Sequence, residues 1–438
     1  MNTSEKLQAL RRLMLEINAQ ALYVGTTDPH QTESVSAHWK AVQWLTGFTG
    51  SMGYAVVTQN EAAFWTDGRY VDQARREIEP QAFQLYSISD PDTPAWNEWI
   101  QLRVHEGEAL SADGEVLSQF QLQTFRGKLA IKNLRILCDR NLVGEIWRDR
   151  PEIPQDPVWE LPLQYAVESR QEKLFALRKR LQKFGNNTAT LICGLDDLAW
   201  LTNLRGHDNP LYPFFHSYAL VTPTQAYLFA DRSKFSETIS KNLSADGWSL
   251  FEYGDVEKFV RQVPADTTLY LDATKTPFKL FEAIPKNVTV KTGLDEVTAM
   301  KACKSHGEQD NIRQANIFEA VAVVRLMRWI EANVQSGSLN EYDVGQKLNE
   351  FRQTSSLYIQ PANIPIVGYG ANAALPHYRP TRQNSASIQP EGMLLFDVCA
   401  HYFCGTTDLT RTVAVGELTQ EMKEDYTLTL KTHVGLAT

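Results

Sequence analysis

"YAVVTQNEAAFWTDGRY", residues 54–70, returns further along the chain as "YALVTPTQAYLFADRSK", residues 218–234. Each copy has an apolar run, a short polar break, a second apolar run and an aspartate. The aspartate follows the threonine by the same distance in both, Thr58 to Asp67 and Thr222 to Asp231. Such runs, rich in β-branched and aromatic residues, read as two strands joined in a hairpin, the first at Gln59-Asn60. The likeness extends outward. "QWLTGFTG" at Gln43 is echoed by "AWLTNLRG" at Ala199, and "EKLQALRRLMLEI" at Glu5 by "EKLFALRKRLQKF" at Glu172. Leu7, Leu10 and Leu13, or Leu174, Leu177 and Leu181, mark one face of a helix in each copy. A strand follows ("ALYVG"; "ATLIC"), then a short helix, then the hairpin. The period is too long for a solenoid, so the reading is a duplicated α/β domain.

The 438 residues exceed what one core usually organises. "DRPEIPQDPVWELP", from Asp149 to Pro162, carries four prolines and reads as an extended connector between the copies. Beyond "KTGLDEVTAMKACKSHGEQ" the pattern changes. A long helix is expected there, with Ile317, Phe318, Val321 and Val324 on one apolar face. Another helix follows Asn340, a good N-cap, and then come strands and loops. The expected organisation is multidomain α/β and α+β. Domain I spans residues 1–150, domain II residues 151–296, and a third, different α+β region residues 297–438.

Charge excludes some partners. With 43 basic and 52 acidic residues the formal net charge is −9, and no Lys/Arg block offers a nucleic-acid or anionic-membrane surface. The longest apolar stretch is interrupted by Glu319, Arg325, Arg328 and Glu331, so no bilayer span is expected. The amino-terminal segment lacks a signal layout, and five scattered cysteines fit reduced thiols. A cytoplasmic protein is the expectation. Cys399 and Cys404 lack zinc-site spacing and read as core or near-turn thiols.

The chemistry concentrates in "FDVCAHYFCGTTDLTRTVAVG", residues 396–416. It reads as a hairpin with its tip around His401 to Gly405, which places Asp397 and Asp408 near one another. Two carboxylates about 4 Å apart repel by roughly 4 kcal/mol at an effective dielectric of about 20. They share a proton, face water, or hold a cation; Mn²⁺, Mg²⁺ and Zn²⁺ all suit hard oxygen ligands. The competing reading is a Thr/Asp-rich hairpin whose acids bond turn amides or pair with Arg411. His377, in "NAALPHYRPT", is placed in a loop or at a strand end, suiting a site residue, though a lone histidine is more often structural.

This hairpin, the upstream "GYGANAALPHYRP" and the downstream "LKTHVGLA" resemble Xaa-Pro aminopeptidases (aminopeptidase P) of the creatinase, or pita-bread, metallopeptidase family M24. "DPHQTES", "WLTGFTGSMGYAVVT" and "WTDGRYVDQA" in the first domain, with "GLDDLAWLTNLRG" and "FFHSYALVT" in the second, are similar to the three-domain cytosolic type along essentially the whole chain. The resemblance implies two creatinase-like N-terminal α/β domains before a pita-bread catalytic domain. It implies release of the N-terminal residue from peptides with proline second, by water activated at two metal ions, usually Mn²⁺ (Zn²⁺ or Mg²⁺ as alternatives). Asp397 and Asp408 match the first two metal ligands, and His377 a histidine that assists substrate binding and proton transfer. Homodimers are common in the family.

The family's further ligands, one histidine and two glutamates, have no counterpart after Asp408, so only the first half of the pita-bread domain is expected. The chain as given is expected to be inactive, with Tyr426, Leu430 and Val434 of its last helix exposed. A non-catalytic peptide- or protein-binding module and a prolidase-like dipeptidase are the alternatives. Three other groups read as structural: Arg205, His207 and Asp208 as a polar turn, preferred over a role in a partner's site; Asp67 with Arg69 as a turn; and Asp28, His30 and Glu33 as turn and cap chemistry.

Overall fold

The computed structural model describes residues 1–438, which divide into two compact units, 1–304 and 305–438. The first unit contains two six-stranded sheets of the same topology. In the first, β1 (Ala21–Gly25), β2 (Tyr54–Thr58), β3 (Ala62–Thr66), β4 (Gln84–Ser87), β5 (Ala109–Ser111) and β6 (Arg135–Leu137) lie in the order β4-β3-β2-β1-β5-β6. After the short β7 (Trp159–Glu160) the pattern repeats. The strands β8 (Thr188–Ile192), β10 (Tyr218–Val221), β11 (Ala226–Phe229), β12 (Trp248–Phe251), β13 (Thr268–Leu271) and β14 (Thr289–Thr292) run β12-β11-β10-β8-β13-β14, while β9 (Leu204–Arg205) pairs with β7. Pairing sense repeats as well: β1 with β2 and β8 with β10 are antiparallel, β1 with β5 and β8 with β13 parallel.

The repeated residues do the same work in both copies. Thr58 N–H donates to the Glu61 carbonyl at 2.8 Å, and Thr222 N–H to that of Gln225 at 2.9 Å. Each threonine hydroxyl also accepts the returning backbone N–H, at 3.1 and 2.9 Å. Asp67 Oδ1 accepts from Arg69 N–H and Asp231 Oδ1 from Ser233 N–H, one Asx turn made twice. The first helix of each copy, Thr3–Glu16 and Arg170–Leu181, opens on a reciprocal capping box, Asn2 with Glu5 and Ser169 with Glu172. Leu7 and Leu10, like Leu174, Leu177 and Leu181, are buried against their sheets.

The second unit begins at Ser305, later than residue 297, where the change of pattern suggests a boundary. The helix Glu296–Ala302 belongs to the first unit because fully buried Val297 closes the core of the second sheet, and Glu296 pairs with Arg180 and Lys183. In the second unit, helices His306–Asn333 and Glu341–Arg352 pack with a sheet of β15 (Tyr358–Pro361), β16 (Ile366–Tyr369), β17 (Met393–Tyr402) and β18 (Gly405–Ala414).

The apolar face expected on the long helix is not its buried one. Ile317, Val321 and Val324 are exposed, and the buried face is Ala315, Glu319, Ala322, Val323, Leu326 and Ile330. An acid sits in that face because Arg352 donates to Glu319 from a neighbouring helix, and Tyr402 Oη adds a bond at 2.9 Å. The buried pair is fully hydrogen-bonded, which makes its burial tolerable. The last helix, Gln420–Ala437, starts on a Thr419 cap and buries no residue; Tyr426, Leu430 and Val434 are exposed. No helix is long and apolar enough to cross a membrane.

Candidate metal centre

Strand parity separates core from chemistry in the 396–416 hairpin. Leu394, Phe396, Val398 and Ala400 leave β17 on one side and are fully buried. Residues two apart share a face, so Asp397, Cys399 and His401 leave on the other. A two-residue loop, Phe403-Cys404, turns the chain, with Tyr402 opposite Gly405. That register places Cys399 opposite Asp408 and Asp397 opposite Thr410. The two aspartates are therefore diagonal neighbours on one face. Oxygens of Asp397 and Asp408 and the sulfur of Cys399 all lie within 4.8 Å of one another. Asp397 and Cys399 are half-buried and Asp408 is exposed.

The aspartates do not pair with Arg411, whose Nη1 donates to the Thr410 carbonyl. Asp408 Oδ1 instead accepts from Cys399 Sγ at 3.3 Å. Burial, that bond and the charges of Asp408 and Asp397 push the Cys399 thiol up to about 12. Cys404 is a buried thiol at the hairpin tip, as its near-turn reading suggests, whereas Cys399 faces the two carboxylates. Two carboxylates and a thiol converging at one place are a donor set that fits a divalent cation.

Two residues not singled out by sequence hold this geometry. Asn363 bridges the strand carrying the acids: its Oδ1 accepts from Cys399 N–H at 2.8 Å and its Nδ2 donates to the Asp397 carbonyl at 3.2 Å. An asparagine between two short strands, in "QPANIPIVG", is the only sequence signal for it. Glu341 is fully buried and accepts from Tyr369 N–H (2.7 Å), Asn372 Nδ2 (3.1 Å), Tyr378 Oη (2.8 Å) and Ala386 N–H (2.7 Å). These donors bracket the loop that carries His377. His377 itself is half-buried in a turn and stands outside the cluster of ligand atoms.

The other candidate groups have structural roles within the first unit. Asp67 and Arg69 form a turn ion pair at 2.7 Å. Asp28 Oδ1 accepts from His30 and Thr32 N–H, which is turn chemistry, while the exposed Glu33 stays outside that pair of bonds. His30 does more: its buried ring meets the Cys193 carbonyl at 2.8 Å and Tyr253 Oη at 2.9 Å, bolting the first-domain loop to the second sheet. Arg205 and Asp208 are not a solvated turn. Asp208 is buried, accepts from His216 N–H at 2.7 Å and pairs with Lys234 at 2.5 Å. Arg205 Nη1 donates to the Leu204 carbonyl at 2.9 Å, and burial lowers its pKa to about 10. His207 lies against the Trp159 ring.

Comparison with known proteins agrees with this architecture. The profile of the Creatinase/Prolidase N-terminal domain matches residues 6–138, a second profile of that description matches 149–308, and that of metallopeptidase family M24 matches 310–437. Xaa-Pro aminopeptidase 2 of Sus scrofa is 33% identical over 445 residues; the match takes in 100% of this chain and 66% of that protein. A probable Xaa-Pro aminopeptidase P of Sordaria macrospora is 32% identical over 453 residues, with 100% of this chain and 73% of that protein covered. The chain thus spans just under two thirds of the length of its mammalian relatives. Among solved structures, X-prolyl aminopeptidase from Caenorhabditis elegans, described as a cytosolic enzyme with a di-nuclear active site, superposes with a TM-score of 0.89 at 28% identity, covering 96% of this chain and 71% of that one. Two creatinase-type domains ahead of an M24 pita-bread region, with full-length likeness of this kind, mean that the chain belongs to the Xaa-Pro aminopeptidase family of M24 metallopeptidases.

Proposed function

We propose that this chain carries the amino-terminal domains and the first metal-binding strands of a metal-dependent aminopeptidase that releases the N-terminal residue from peptides with proline second. One observation carries the reading: Asp397 and Asp408 converge on one face of the β17–β18 hairpin, where their oxygens and a thiol lie within 4.8 Å. Divalent ions held there would supply Lewis-acid activation of the scissile carbonyl and of water. Manganese is the ion the family likeness implies. Asp397 and Asp408 bind; Asn363 keeps their strand in register; His377 orients the peptide and carries a proton on its imidazole, from a loop that Glu341 pins.

The three domains are taken as residues 1–150, 151–296 and 297–438, with the helix Glu296–Ala302 at the head of the third packing back on the core of the second sheet. A cytoplasmic setting is supported by the cytosolic description of the nematode relative, and a homodimer is what the family likeness implies. Two carboxylates are few for two ions, so weak metal affinity and little turnover are expected of the 438-residue chain by itself. A peptide-binding role without catalysis is the second reading, favoured by that short ligand set.

Calorimetry with an Xaa-Pro peptide and its Xaa-Ala counterpart, with and without Mn²⁺, tests the substrate class. Preference for the proline peptide that grows with metal is expected. Equal affinity for both peptides would sink the proposal, and preference without any metal dependence would favour the binding module.

A further inference from the structure

Cys399 occupies an unusual place for a structural thiol. The positions of β17 that build the core are Leu394, Phe396, Val398 and Ala400, all fully buried. Cys399 falls on the alternate face with Asp397, two residues before it, and directly opposite Asp408. Its sulfur is 3.3 Å from Asp408 Oδ1, and one ligand atom from each of the three residues lies within 4.8 Å of the other two. Ligand bonds of about 2.0–2.3 Å set neighbouring ligand atoms about 3–4 Å apart, so a shift of a fraction of an ångström closes the set. Both backbone positions are fixed by one side chain: Asn363 holds Cys399 N–H at 2.8 Å and the Asp397 carbonyl at 3.2 Å.

We propose that Cys399 is a third ligand of this site, and that it tilts the site toward thiophilic dications, zinc and cobalt(II), and away from manganese. The inference rests on the reading of Asp397 and Asp408 as metal ligands. On binding, the S–H bond breaks, its proton passes to solvent, and the sulfur lone pair forms the bond to the metal, with no change of oxidation state. Thiolate selects softer ions, whereas manganese favours carboxylate and water. Cysteine thus departs from the all-oxygen preference that the aspartate pair alone would set.

The test uses the full 438-residue chain, its C399S variant and a D397N/D408N double variant. Cobalt(II) is expected to give a near-ultraviolet thiolate-to-cobalt band in the unmodified chain that C399S lacks. Zinc affinity should fall at least about tenfold in C399S, with manganese affinity within about twofold. A second measurement needs no variant: iodoacetamide labelling of Cys399, followed by mass spectrometry, should slow with zinc and not with manganese. Visible cobalt bands without the thiolate band, equal zinc affinity in C399S, or equal labelling with zinc and manganese would overturn the assignment of Cys399 and leave the carboxylate site standing. Cobalt and zinc binding no tighter than in the double variant would overturn both.

Discussion

Replacing Glu341 frees the loop that carries His377 from the helix Glu341–Arg352 that anchors it. Its carboxylate is fully buried and serves four donors: Tyr369 N–H and Asn372 Nδ2 on one side, Tyr378 Oη and Ala386 N–H on the other. Each buried donor left unpaired costs about 1–3 kcal/mol, less wherever the loop can relax toward water. With two of the four donors on backbone, Glu341→Ala is expected to destabilise the second unit by about 3–5 kcal/mol, the range for removing one member of a buried charged network. Glu341→Gln keeps the shape but offers one carbonyl oxygen. The Tyr378 hydroxyl can turn to accept from the new amide, and a backbone N–H cannot, so about half the loss is expected, roughly 2 kcal/mol. Urea unfolding measures the stability, and hydrogen exchange of residues 369–386 shows where it is lost. Metal affinity at Asp397 and Asp408 should change little, while affinity for an Xaa-Pro peptide falls. A Glu341→Ala variant within about 1 kcal/mol of the parent, with unchanged exchange in 369–386, would refute the reasoning.

Three further outcomes follow from the same geometry. Arg352→Ala strands buried Glu319, with only Tyr402 to serve it, and should cost about 3–5 kcal/mol in urea unfolding, whereas replacing both Arg352 and Glu319 with apolar residues should cost much less. Burial lowers the pKa of His30 despite the opposing charge of Asp28; the unfolded chain therefore takes up the proton first, and stability present above about pH 6.5 is lost as pH falls below it. His30→Gln should accordingly flatten the fall in stability between about pH 7 and pH 5, and an unchanged slope would remove His30 from the account. Replacing exposed Leu428, Leu430 and Leu436 with serine should lower binding of an apolar dye and self-association, at a stability change within about 0.5 kcal/mol by thermal unfolding.

The features legible in sequence were those with short-range or repeated causes. The threonine and aspartate that recur between residues 54–70 and 218–234 turn the same hairpin and close the same Asx turn, so the duplication showed before any fold was known. The hairpin reading of residues 396–416 brought Asp397 and Asp408 near one another, and the strand register does the same. What stayed hidden depended on partners far along the chain. Glu319 looked like a break in an apolar helix, and only Arg352 explains why it faces inward while Ile317 and Val321 face out. Glu341 carries no local signal of its role, because its four donors lie 28 to 45 residues away. Residue type misled at Cys399: a thiol in an apolar context suggests core, yet strand register sets it opposite Asp408.

The most direct measurement is a titration of the 438-residue chain with Mn²⁺, followed by the loss of the free-ion electron paramagnetic resonance signal, beside the D397N and D408N variants. The account predicts saturable binding, weak on the scale of structural metal sites, that either substitution abolishes. Binding of the same strength in both variants, or none in the parent, would contradict it.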